Sequence, residues 1–356
     1  MTMAITAGVR WRAAAAMAAS VATATVQAQP TVSLEFLAKG ELTKEQVGGR
    51  WPFGGISGLT WDEEQGLFVA VSDAKDQPRA YFIQIDPAET LEGAMSPHVT
   101  QIATMKLYEA QLNPRDCEAI APDGQGGWIV SLESPQALAR YTADFQERTL
   151  LQMLPEELRR RFYPNRGVEA LALLPGGGPL GEKATALAIT EWGPNPADPS
   201  VQGMPRLQAR GKPLAMALDP ETLQTVAQGW YPLGLPTTAH GLKSLVEIAP
   251  LDASHVLALE RAAASGGIFF VELYLATIEP GPDGQGFTIT KEKIDLPSFP
   301  GIEKMGNIES MAIGPALPDG SGDRLLLLAT DDNFGLTRFG RDHTDLLAFR
   351  LRVQRE

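Results

Sequence analysis

The chain has 356 residues, 43 acidic against 30 basic, and a formal net charge of −13. An acidic surface repels nucleic acid and anionic membranes, so neither is an expected partner. A single Cys excludes an internal disulfide framework and any multi-thiolate metal site, while 35 Gly and 27 Pro point to a fold made of many turns rather than a helical bundle.

In chain order, the first segment is an address. Arg10 and Arg12 precede an Ala-rich, weakly apolar run from Ala13 to Val26, and Val26-Gln27-Ala28 has the small-x-small form of a cleavage site. The run is shorter than the ~20 apolar residues of a membrane span. We therefore expect a signal peptide over 1–28, cut near Ala28. The mature domain, 29–356, is then periplasmic or secreted, more acidic still, and without a membrane span.

The rest of the chain repeats. Each unit has a short strand led by a polar residue, a tight turn, and an apolar strand ending on a carboxylate. The units are Ile56 to Thr60 with Phe68 to Asp73; Cys117 to Ala121 with Trp128 to Glu133; and Val168 to Ala172 with Ala186 to Glu191. A weaker fourth is Ser244 to Ile248 with His255 to Glu260, and the fifth is Ile308 to Ala312 with Leu326 to Asp331. Two further strand-like runs follow most pairs, and signals such as Asp123-Gly124 and Asp319-Gly320 separate them. Four short strands per unit are the signature of a propeller blade. The expected fold is an all-β propeller of four-stranded blades, five by count. A sixth is possible in the long gap around Pro194 to Gly234. Asp345 to Val353 is a third strand with no fourth after it, and Thr31 to Leu37 and Glu41 to Gln46 stand spare at the other end. An N-terminal strand is expected to close the last blade. Pro155 to Phe162 is the one clear helical stretch.

These units resemble the phytase-like family, "esterase-like activity of phytase". The resemblance lies in Gly55-Ile56-Ser57-Gly58-Leu59, Asp116-Cys117-Glu118-Ala119-Ile120-Ala121 and Asn165-Arg166-Gly167-Val168-Glu169-Ala170-Leu171-Ala172. It continues in Leu257-Ala258-Leu259-Glu260-Arg261 and in the stretch from Ile308-Glu309-Ser310 to Asp331-Asp332-Asn333-Phe334. It spans about residues 50 to 350 and implies a propeller that hydrolyses phosphoesters or esters, with no substrate defined. Where the family often has Glu-Gly, this chain has Glu118-Ala119, Glu169-Ala170 and Glu309-Ser310. Ser57 replaces the carboxylate in the first unit.

Glu118, Glu169 and Glu309 share a position at the start of the inner strand. Asp73, Glu133, Glu191, Glu260 and Asp331 share one at the end of the next strand. Antiparallel pairing brings the two sets together at one mouth of the central channel. Two carboxylates about 6 Å apart repel by roughly 2–3 kcal/mol at an effective dielectric near ~20. Such a cluster needs a cation, raised pKa values or neighbouring Arg and Lys. Ca2+, with six to eight oxygen ligands, fits.

The expected site therefore has Glu118, Glu169 and Glu309 as metal ligands or general base, and Asp73, Glu191, Glu260 and Asp331 as further ligands. Arg166, Arg261 and Lys243 grip the phosphoryl group of a small-molecule phosphoester. The same acids would equally tie blades together in a non-catalytic binding propeller, or serve a lactonase-type calcium hydrolase. The four His residues form no ligand pair, Ser57 lacks a nucleophile elbow, and Cys117 between two acids is a poor nucleophile. The chain is expected to be a monomer.

Overall fold

The computed structural model describes residues 29–47, 53–75, 77–105, 115–134, 136–163, 166–195, 202–203, 206–234, 242–264, 268–282, 284–299, 306–335 and 341–355. The expected signal peptide lies outside these residues. Among the described residues, twenty strands form five four-stranded antiparallel sheets.

Blade 1 is β2 (Ile56–Asp62), β3 (Leu67–Ser72), β4 (Arg79–Gln84) and β5 (His98–Thr104). Blade 2 is β6 (Arg115–Pro122), β7 (Trp128–Ser134), β8 (Gln136–Tyr141) and β9 (Arg148–Met153). Blade 3 is β10 (Val168–Leu174), β11 (Thr185–Thr190), β12 (Leu214–Leu218) and β13 (Thr225–Trp230). Blade 4 is β14 (Leu242–Pro250), β15 (His255–Ala264), β16 (Ile268–Pro280) and β17 (Phe287–Ile294). Blade 5 is β18 (Asn307–Ala316), β19 (Arg324–Asp331) and β20 (His343–Gln354), completed by β1 (Thr31–Thr43) on the outside of β20. Short helices α1 (Lys44–Val47), α2 (Pro87–Leu91), α3 (Glu156–Arg161) and α4 (Arg206–Arg210) decorate the connections.

The ring is five-bladed. The stretch considered for a sixth blade holds α4 and the two outer strands of blade 3, so its length is an insertion within one blade. The two spare N-terminal segments are one strand, paired with β20 from Thr31↔Gln354 to Thr43↔His343 across a bulge at Leu37. The chain turns into α1 at Lys44, which ends the second of those segments early.

Blade faces pack on their neighbours through aliphatic alternation along each strand. Ile56, Phe68 and Tyr81 of blade 1 meet Leu325, Leu327 and Leu346 of blade 5. Leu187 and Ile189 of blade 3 meet Leu245 and Val256 of blade 4. The inner strands β2, β6, β10, β14 and β18 touch in a closed ring. Their packing is tight enough that a Cβ on Gly58 would lie 2.8 Å from the Ala119 backbone. Among the described residues no helix is long and apolar enough to cross a membrane.

Candidate functional site

Each inner strand breaks register at the same depth. The breaks fall between Ile56 and Gly58, Cys117 and Ile120, Val168 and Ala170, Leu245 and Glu247, and Ile308 and Ser310. A bulge leaves a residue unpaired and re-aims its side chain. The residues in these breaks include Ser57, Glu118, Glu169, Val246 and Glu309. The three acids expected to share a position therefore do share one, and the bulge is its physical basis.

Register also defines the second ring of positions. Asp73 N–H donates to the Gly55 carbonyl and Glu191 N–H to that of Gly167. Asn307 pairs with Asp331, and Arg115↔Ser134 with Cys117↔Leu132 set Glu133 opposite Asp116. In blade 4, Leu245 pairs with Glu260 and Ser244 with Arg261. The equivalent residue there is thus Arg261, and Glu260 stands one position earlier. A one-residue offset in a strand reverses the face. The second ring reads Asp73, Glu133, Glu191, Arg261, Asp331: four acids and one guanidinium.

Glu260 and Lys243 are consequently not brought to the mouth with the other expected site residues. Glu260 accepts from Tyr231 Oη at 2.9 Å, pairs with Lys291, and lies 3.6 Å from Lys243 Nζ. Lys243 also pairs with Glu272, which accepts from Tyr274 Oη at 3.0 Å. This network ties blades 3 and 4 together.

Arg261 joins two sectors of the mouth. Its guanidinium pairs with Glu309, donates to Asn307 Oδ1, and lies 3.7 Å from Glu191 Oε1. Glu191 Oε2 also receives Arg166 Nη1 at 2.6 Å. Arg166 rests on the Trp192 ring, 4.6 Å from its centroid, and Arg210 lies 4.2 Å from the centroid of that indole. Glu191 and Glu309 are therefore already neutralised by the chain's own cations.

The opposite sector is not neutralised in this way. Carboxylate oxygens of Asp116, Glu118 and Glu133 lie within 4.8 Å of one another. Among the described residues, the one cation that pairs with Asp116 is the largely exposed Lys75, at 3.0 Å. Glu133 Oε1 accepts from Gly167 N at 2.9 Å, while its Oε2 has no hydrogen-bond partner. Asp73 Oδ1 and Glu169 Oε2 are likewise buried and unpartnered. Asp116 adopts a left-handed backbone, φ +65°, matching Gly55 at φ +64° in blade 1. Asp tolerates that region through its short polar side chain. Strain of this kind gathers at functional sites.

Burial is the main cause of raised carboxyl pKa values here, and the acids reinforce it in one another. Glu118 is pushed well up by burial, then by Glu169 and Glu133. Glu169 is pushed well up by burial, Glu191 and Glu133, against the pull of Arg261 and Arg166. Burial and neighbouring charge raise Asp73 to about 8, Glu133 to about 7 and Asp331 to about 6. Burial also raises the Cys117 thiol, as expected of an inert buried residue. Ser57 donates to the Cys117 carbonyl and is committed to joining blades 1 and 2.

A carboxyl with a raised folded pKa contributes stability below its unfolded value, and that contribution is lost as pH rises through the folded value. In EDTA, the melting temperature is therefore expected to fall steadily from pH 5 to pH 8, as Asp331, Glu133 and Asp73 are forced to ionise. Carboxylates with lowered values, such as Glu272 at about 2, are ionised throughout that window and do not offset the trend. Thermal melts across this range test the point, and a flat or rising profile would contradict it.

Sequence reasoning did not single out Asp116 or Glu247. Aligning Gly55, Asp116 and Gly167 reveals the first, an acid where its neighbours have Gly. Glu247 follows the blade 4 bulge and is fully buried deeper in the channel. Its carboxyl accepts from Ile248 N at 3.0 Å, from Leu59 N across the axis at 3.3 Å, and from the Leu171 backbone. It joins blades 1, 3 and 4 through donors that an inner edge strand would otherwise leave unpaired.

Comparison with curated proteins gives no match. Several solved structures are similar in outline. They include glutaminyl cyclase from Myxococcus xanthus, with 12% identity, 91% of this chain and 98% of that one covered, and a TM-score of 0.41. For the PQQ-bound aldose sugar dehydrogenase from Streptomyces coelicolor the figures are 14%, 91%, 99% and 0.42. For the endo-arabinase from Bacteroides thetaiotaomicron VPI-5482 they are 9%, 85%, 94% and 0.45. Likenesses this distant say nothing about activity here. The sequence profile of the phytase-like family, described as "Esterase-like activity of phytase", matches residues 51–334, and the chain belongs to that family.

Proposed function

We propose that this chain is an exported, monomeric, calcium-dependent phosphoester hydrolase acting on small molecules at the acidic mouth of its channel. The observation that carries the reading is the division of the mouth. Asp116, Glu118 and Glu133 place carboxylate oxygens within 4.8 Å of one another and, among the described residues, have no buried ion-pair partner, beside two fixed guanidiniums. The donor set fits a hard divalent cation, because it is all oxygen and the neighbouring buried oxygens of Asp73, Glu133 and Glu169 lack partners.

Asp116, Glu118 and Glu133 would hold the ion, with Asp73 beside them. A bound divalent cation supplies Lewis acidity toward phosphate oxygens and toward water. Arg166, one third exposed and braced by Trp192, presents donors to a phosphoryl group, and Arg261 does so from the blade 4 side. Glu309, expected as a ligand, instead orients Arg261. Glu169 lies between the two sectors with Oε2 free of hydrogen bonds, placed to exchange a proton with the attacking water.

Melting in Ca2+ and in EDTA, followed by assay of phosphomonoesters, phosphodiesters and a lactone, tests the reading. The expected result is a Ca2+-induced rise in melting temperature of several degrees and Ca2+-dependent phosphoester turnover. Absence of both would overturn it. A shift without turnover would favour a binding propeller, and lactone turnover alone a lactonase.

A further inference from the structure

Beyond Asp331, which stands in the second ring of the mouth, the Asp332-Asn333-Phe334 stretch leaves blade 5 in a rare conformation. Asn333 and Phe334 are successive non-glycine residues with φ of +48° and +53°. For a bulky aromatic residue this is a true outlier. The surrounding contacts over-determine it. Asp331 Oδ1 accepts from Asn333 N at 2.7 Å, and Asp332 Oδ1 accepts from Phe334 N at 2.9 Å. Gly335 N donates to the Asp332 carbonyl at 3.0 Å, and Lys44 Nζ donates to the Phe334 carbonyl at 2.8 Å.

This clamp holds the half-buried Phe334 ring against the mouth. Asp332 Oδ1 also accepts from Gly55 N at 2.8 Å, which fixes the start of blade 1 to the same carboxylate. A Cβ on Gly55 would lie 2.1 Å from Asp73 Oδ1 and 2.5 Å from two atoms of the Phe334 ring. Glycine therefore leaves the one gap in which that ring and the Asp73 carboxylate stand side by side. Strain that persists through several independent hydrogen bonds is characteristic of ligand clamps and active sites.

We propose that Phe334 is the specificity-determining wall of the mouth, selecting phosphoesters whose organic group is flat and apolar, such as aryl phosphates, over polyol phosphates. The inference rests on the phosphoester reading above. The phosphoryl group sits on the Arg166 and Arg261 side, and the organic group lies against the ring.

Calorimetry of phenylphosphonate and methylphosphonate binding, with Ca2+ present, tests this without requiring turnover. The wild-type chain is expected to prefer the phenyl compound, and Phe334→Asn to lose that preference by roughly tenfold. Asn accepts the left-handed backbone, so the melting temperature of Phe334→Asn is expected to hold or rise. Phe334→Tyr is expected to keep the preference. Equal loss of both ligands with a lowered melting temperature would mark a structural residue and overturn the proposal, as would an unchanged preference in Phe334→Asn. If the wild-type chain binds both ligands equally, this inference alone falls. If it binds neither, the phosphoester reading falls and takes the inference with it.

Discussion

A chain lacking Thr31–Thr43 is expected to accumulate as aggregate and to show no cooperative melt. The deletion removes one strand of twenty, but that strand closes the ring. β1 covers the whole outer edge of β20, from His343 to Gln354. It buries Ala38 and Leu42 and stacks Phe36 on Phe299, with ring centroids 4.8 Å apart. Without it, a twelve-residue strand with the apolar run Leu346-Leu347-Ala348-Phe349 becomes an open edge, the template on which chains pair with one another. Size-exclusion chromatography and circular dichroism of the deleted chain would show the loss. A soluble monomer melting near the wild-type temperature would refute it. Supplying the missing strand as a peptide should recover part of the soluble fraction.

Arg261→Gln is expected to produce the largest effect of any single change at the mouth. Removing one partner of a buried ion pair leaves the other charge uncompensated, typically at a cost of about 3–5 kcal/mol. Glu191 keeps Arg166 and Arg261 is slightly exposed, so the lower end applies, about 3 kcal/mol. The variant should melt several degrees lower in EDTA and regain more on Ca2+ addition than the wild-type chain, because Glu309 is released to bind a cation. Phosphate affinity should fall together with turnover. An unchanged melting temperature in EDTA would show that Arg261 is not the compensating charge.

The closed propeller was legible in the sequence because its signals are local: alternating apolar residues, turn dipeptides and a missing last strand. The positions of Glu118, Glu169 and Glu309 were legible for the same reason. Blade 4 was not. Acids at both Glu247 and Glu260 mimic the pattern of the other blades, yet both are out of step by one residue. Only pairing of Leu245 with Glu260 exposes the shift and hands the shared position to Arg261. Asp116 was obscured differently. Its role depends on a left-handed backbone angle that blade 1 meets with Gly55, and no periodicity of side-chain type records that. The ion pairs that divide the mouth arise from chain separations such as Glu309 with Arg261, which only the tertiary ring brings together.

Glu247 has a consequence for traffic. Its carboxyl spans the axis from blade 4 to blades 1 and 3, so the bore is stoppered below the mouth. The far end holds a separate vestibule of about 170 Å3, lined among others by Trp61, Glu63, Leu173, Ile313 and Arg324 and reached from the other face. Among the described residues, Glu247 thus parts the acidic mouth from that vestibule. A ligand held by the mouth acids then leaves by the face at which it entered. A long substrate need insert only its terminal group, leaving the remainder outside.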